Sequence, residues 1–251
     1  MNKNHDKKNF ILACLISGVY DVNRNETLED NDFTIIEKWY NSIISNELQA
    51  IIFHNGLSEK TVEKFENKNI TFKKIEPSSL YNPNVYRYFI YKDFLQTNKV
   101  EVDGVFLTDI SDVTIGKNPF LDDLFISNPT SIFCGDEPKI LNNEWMNDHS
   151  THFRNNIPGY SSYEEKHRDF PLLNCGIIGG GTDIMIELLE KLCEIHHQYN
   201  QNNTSAYTGD MGAFNYIIRT GFTGRVKHGE PVNTVFKSYE DERIDCWFRH
   251  K

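Results

Sequence analysis

Short apolar runs recur along the first half of this chain with helix-like segments between them, and that alternation limits the folds open to it. FILACLIS (10–17), LQAIIFHNG (48–56), ITFKKI (70–75), DGVFLTD (103–109) and SIFCGD (131–136) read as strands. Between the first two, Phe33, Ile36, Tyr40 and Ile43 recur at three- and four-residue spacing and predict an amphipathic helix over 32–44. Ser58 is placed to cap a short charged helix, and 84–96 reads as an aromatic-rich helix. Strands joined through helices need crossover connections. The expected fold is therefore α/β, a mainly parallel open sheet flanked by helices, with ligands at the carboxyl ends of the strands.

The second half is less regular. Residues 142–169 are polar and read as a loop or an irregular helix. LLNCGIIGGG (172–181) is a buried strand running into a glycine turn, followed by a long helix over 182–199 with Ile184, Leu188, Leu192 and Ile195 on one face. A polar linker (200–209) leads to a shorter helix opened by Asp210, and the tail from 224 onward reads as a few short strands. A length of 251 residues suits one domain spanning 1–251.

A net charge of −10 argues against broad binding to nucleic acid or anionic membranes. The apolar run 10–19 is too short to span a bilayer and lacks a signal-cleavage pattern. Five scattered cysteines without a CxxC pair or zinc spacing imply reduced thiols and a cytoplasmic setting.

The chemistry concentrates in VFLTDISDVTIGKNPF (105–120), where a strand runs into Asp109 and Asp112. Two carboxylates at a buried strand end repel unless a positive charge lies between them, and a divalent metal carrying a diphosphate meets that need. Mn²⁺ or Mg²⁺ suits such hard oxygen ligands. The plainer alternative makes Asp112 a turn residue beside Thr114 and Gly116. A haloacid-dehalogenase arrangement would need its two Asp residues at i and i+2, whereas these lie at i and i+3. Arg87, inside the aromatic helix, needs an anion as partner, either Asp109 or a phosphate. Ser17 at the end of the first strand, with His54 and Asn55 at the end of the second, are placed by topology to meet a nucleotide base.

TDISDV followed by NPF resembles the metal-binding DxD-type segment of GT-A-fold glycosyltransferases. Three further blocks follow the order of those families: VYRYFIYKDFL (85–95) resembles the Arg/Tyr helix that helps hold the nucleotide, NCGIIGG (174–180) the strand lining the sugar pocket, and GDMGAFN (209–215) the D-Q-G-x-x-N helix start of glycogenin-like enzymes. Met211 stands where those enzymes carry Gln, and the acidic motif is DxxD. The resemblance implies a Rossmann-like GT-A domain with a nucleotide-binding half (about 1–120) and an acceptor and sugar half (about 121–251). It implies a transferase that uses Mn²⁺ or Mg²⁺ to move a sugar from a nucleotide-diphosphate donor, in the first place a UDP-sugar, to a glycan or glycoconjugate hydroxyl. Asp112 would sit on the metal and Asp109 on the ribose or the metal. The third ligand would be His250 (in CWFRHK) or His228 (in KHGEPVNTV). Asn174 and Gly176 would approach the sugar. Asp210 would bond its hydroxyls or simply cap its helix, and Asp136, Glu137 and Asp210 are the possible bases of an inverting reaction. Two other readings stand beside it: a sugar-phosphate nucleotidyltransferase, which wants a glycine-rich basic loop where this chain has VYDVNRNE, and a catalytically silent sugar- or nucleotide-binding module.

Overall fold

The computed structural model describes residues 7–21, 25–201 and 209–251. In chain order the elements run β1 (Lys8–Leu15), β2 (Tyr20–Asp21), β3 (Glu26–Thr27), α1 (Glu37–Ser45), β4 (Ala50–His54), α2 (Glu59–Phe65), β5 (Ile70–Lys74) and α3 (Pro83–Thr97). Then come β6 (Val102–Thr108), β7 (Val113–Ile115), α4 (Asp123–Ile126), β8 (Ile132–Ile140), α5 (Glu144–His149), α6 (Thr151–Asn156) and α7 (Tyr160–His167). The last are β9 (Pro171–Gly181), α8 (Thr182–Tyr199), α9 (Asp210–Gly221), β10 (Val226–His228) and β11 (Phe248–His250).

Local chemistry explains the helix starts. The Ser58 hydroxyl accepts from the Thr61 amide, and Asn82 caps α3 through the Asn84 amide with Pro83 in the first turn. Region 142–169 meets the helical alternative of the expectation rather than the loop. It forms three helices of six to eight residues, whose inward side Met146, Phe153, Tyr160 and Tyr163 bury. Most of the expected linker, residues 202–208, lies outside the described residues.

Among the described residues seven strands form one sheet in the order β10-β8-β9-β6-β1-β4-β5. All neighbours are parallel except β9, which runs antiparallel to both β6 and β8. Separate apolar layers cover its two faces: α3, α8 and α9 pack on one, α1 on the other. Trp39 of α1 is fully buried and donates its indole N–H to Thr108 at the end of β6, at 2.8 Å. Beside the main sheet, β7 and β11 form a two-stranded antiparallel ribbon. No helix among the described residues is long and apolar enough to cross a membrane.

Candidate active site

Asp109 follows directly on β6, so it stands at a carboxyl strand end, and its amide donates to the Gly176 carbonyl at 2.8 Å. Arg87 reaches it from the buried face of α3 and donates to its Oδ1. The same guanidinium donates to the carbonyls of Asn84 (3.0 Å) and Cys175 (3.3 Å), and lies 3.9 Å from Asp210 Oδ2. Burial by itself would lower the Arg87 pKa, but Asp109 and its surroundings carry it well above the ordinary value, so the guanidinium stays charged. Burial pushes the Cys175 thiol pKa up, which keeps it protonated and unreactive.

The β7/β11 ribbon brings distant residues to this point. His250 pairs with Val113, which sets its Nε2 4.0 Å from Asp112 Oδ2, and the Lys251 amide closes the turn on the Asp112 carbonyl at 3.0 Å. The His250 amide donates to Thr234 Oγ1, and the ring stands edge-on to Phe236 at 4.5 Å. One ligand atom from each of Asp109, Asp112 and His250 lies within 4.8 Å of the other two. Two carboxylates and an imidazole at that spacing fit a divalent ion with bonds of roughly 2.0–2.3 Å. Gly176 makes this packing possible. A Cβ there would fall 2.6 Å from His250 Cε1 and 2.8 Å from Asp109 Oδ2.

Asn174 completes this edge by accepting from the Gly176 amide (2.7 Å) and donating to Glu137 (3.0 Å). Asp210 is the first residue of α9, and Gly209, at φ +76°, occupies the cap position before it. Its carboxylate accepts from Cys175 Sγ at 3.6 Å and faces Arg87. His228 lies elsewhere: on β10 it contacts Asp136 of β8 at 2.8 Å, apart from the Asp109–Asp112–His250 cluster.

A cleft with about 520 Å³ of empty space opens beside the cluster at the ends of β1 and β6. Ile16, Val19 and Leu28 give it apolar walls, and Asp21, Asn84 and Ser111 give it polar ones. Ser17, His54 and Asn55 do not line it. Asn55 spends both ends of its amide on the Ser17 backbone (2.9 and 2.8 Å), the Ser17 hydroxyl donates to Asp30, and His54 Nδ1 accepts from Leu57. Burial depresses the His54 pKa, as suits an acceptor. Asp21 and Asn84, joined at 2.9 Å, carry no local sequence signal, whereas Ser111 lay in plain view between the two aspartates.

No protein-family model and no curated protein matches the sequence. Among solved structures the chain is similar to the crystal structure of a glycosyltransferase involved in the glycosylation of the major capsid of PBCV-1. The TM-score is 0.51 and the identity 13%, over 97% of this chain and 92% of that one. At that identity the likeness is one of fold: the chain has a mainly parallel, Rossmann-like α/β architecture of GT-A type.

Proposed function

We propose that the protein is a metal-dependent glycosyltransferase that moves a sugar from a nucleotide-diphosphate donor, in the first place a UDP-sugar, to a hydroxyl of a glycan or glycoconjugate. The observation that carries this reading is the convergence of Asp109, Asp112 and His250 beside a cleft, on a fold shared with a glycosyltransferase.

The base and ribose belong in that cleft, between the apolar surfaces of Ile16 and Leu28 and the Asp21–Asn84 pair. Asp109, Asp112 and His250 would hold Mn²⁺ or Mg²⁺, which would supply Lewis-acid stabilisation of charge on the leaving diphosphate. Arg87 donates to Asp109 Oδ1, and Asp109 Oδ2 lies on the side of Gly176 and His250. Asp210 and Asn174 offer a carboxylate and an amide to sugar hydroxyls, and the Cβ-free Gly176 lets the ring approach the backbone. For inversion, Asp136 is the accessible base: its side chain is 26% exposed and is oriented by His228, whereas Glu137, 8% exposed, is committed to Asn174.

Thermal unfolding with UDP, GDP, CDP and ADP, each with and without Mn²⁺, tests the proposal. A ligand at about 100 times its Kd adds about 2.7 kcal/mol, a rise of about 5–10 °C for a chain of this length. The expected result is a rise with one diphosphate only when Mn²⁺ is present, lost in Asp112→Asn. Flat curves across the wild-type panel would overturn it.

A further inference from the structure

The β7/β11 ribbon has a second face. Side chains alternate along a strand, so with His250 turned toward Asp112, Arg249 projects to the opposite side, paired across from Thr114. There the ribbon and α1 border a cavity of about 1100 Å³ of open space, lined by Lys38, Ser45, Thr114, Asp241, Arg249 and Lys251. Three of these residues are cationic and one is acidic, an unusual local excess in a chain of net charge −10.

The cations are held toward one another. Lys251 contacts Asp241 at 3.1 Å, and Lys38, on the same cavity wall, is close enough for the two lysine charges to oppose each other. The Lys251 charge pulls the Lys38 pKa below its ordinary value, the response of a cation beside another. The Arg249 guanidinium is anchored by donation to the carbonyls of Ile115 (2.9 Å) and Asp241, and its buried Nε has no hydrogen-bond partner. A buried donor without an acceptor, on a wall shared with Lys38 and Lys251, favours an anion at this place. With Asp241 counted, two positive charges remain, which a phosphate dianion would cancel.

We propose that this cavity, on the reverse of the ribbon from Asp112 and His250, is a binding site for a phosphate dianion or phosphate monoester, held by Lys38, Arg249 and Lys251. The site stands apart from the donor cleft and does not depend on the transferase reading.

The test is a calorimetric titration of the full chain with inorganic phosphate in EDTA without nucleotide, paired with flotation on phosphatidylcholine vesicles with and without phosphatidic acid. Wild type is expected to bind phosphate saturably with a Kd of about 1 mM or tighter. Lys38→Gln should weaken it about tenfold, and Lys38→Gln with Lys251→Gln should abolish it. Asp21→Asn, in the donor cleft, should leave it unchanged. Vesicle binding that needs phosphatidic acid and is lost in the double variant, without binding of free phosphate, would assign a lipid headgroup as the source. Absence of binding to both probes, or equal binding by wild type and double variant, would overturn the site.

Discussion

Gly176→Ala tests the candidate metal centre without removing a ligand. The new methyl would lie 2.6 Å from His250 Cε1, 2.8 Å from Asp109 Oδ2 and 3.0 Å from Asn174 Oδ1, where ordinary contact begins at 3.4 Å. Relief therefore requires His250 to retreat by about 0.8 Å and Asp109 by about 0.6 Å, against a tolerance of about 0.2 Å in metal–ligand distances. Neither can yield freely: β11 pairing and Phe236 hold His250, and Arg87 holds Asp109. Displacing ligands on this scale should weaken Mn²⁺ by about ten- to a hundredfold, or about 1.4–2.7 kcal/mol. Overpacking should also cost about 1–3 kcal/mol of stability, lowering Tm by about 2–12 °C. The assay is calorimetric titration of Mn²⁺ with UDP saturating, well below both melting temperatures. A variant with lowered Tm but wild-type Mn²⁺ affinity would refute the assignment of His250 and Asp109 to the ion.

Gly179→Ala is its control. Its methyl would lie 2.1–2.4 Å from the Phe106 ring, which is itself wedged among Phe120, Phe133 and Trp247, so stability should fall by about 3 kcal/mol with Mn²⁺ affinity intact; a parallel loss of affinity would show that the two glycines report the same general strain. Arg87→Met leaves buried carboxylates without their cation and should cost about 3–5 kcal/mol; urea midpoints should show Asp109→Asn recovering part of this loss, and strict additivity would argue against a coupled pair. His196 is fully buried, and burial lowers its pKa from 6.5 to about 4. The unfolded chain therefore takes up its proton first, and the stability from neutral His196, fully present above about pH 6.5, drains away as pH falls toward 4. The loss between pH 7 and 5 is about 2 kcal/mol, and His196→Leu should remove it from the difference between urea stabilities at those two pH values; an unchanged difference would place the dependence on other groups.

The elements that sequence made legible are those with a local period. Helix α8 coincides with the expected 182–199, and β5 lies within 70–75, because burial on one face writes itself directly into residue spacing. Helices α5 to α7 were legible only as an alternative to a loop because they are too short to show such a period. Aromatic contacts such as Phe153–Tyr160 and Tyr163–Tyr216 hold them against α9 instead. The three-residue strand β7 carries no signal of its own either, and β11 was legible only as one of the short strands expected beyond 224. His250 was singled out by resemblance, and its approach to Asp112 rests on a pairing that only the folded chain displays. Ser17, His54 and Asn55 went to the turn because topology locates a strand end and leaves open which way a side chain points.

Strand direction explains why residues 174–176 belong to the site at all. In a wholly parallel sheet the ligand edge is built from carboxyl ends and the loops that follow them. Strand β9 reverses this, running between β6 and β8 with Ile177 opposite Thr108 and Asn174 opposite Gly135. Its amino-terminal half therefore lies along the edge where β6 delivers Asp109 and β8 delivers Asp136 and Glu137. A strand interior is more rigid than a loop, because ladder bonds fix its backbone on both sides. The Gly176 carbonyl holds the Asp109 amide, the Asn174 side chain ties Gly176 to Glu137, and the Cys175 carbonyl accepts from Arg87. Through these bonds one antiparallel strand joins the candidate metal-binding carboxylate, its buried cation and Glu137, so a change at 174–176 should disturb all three together.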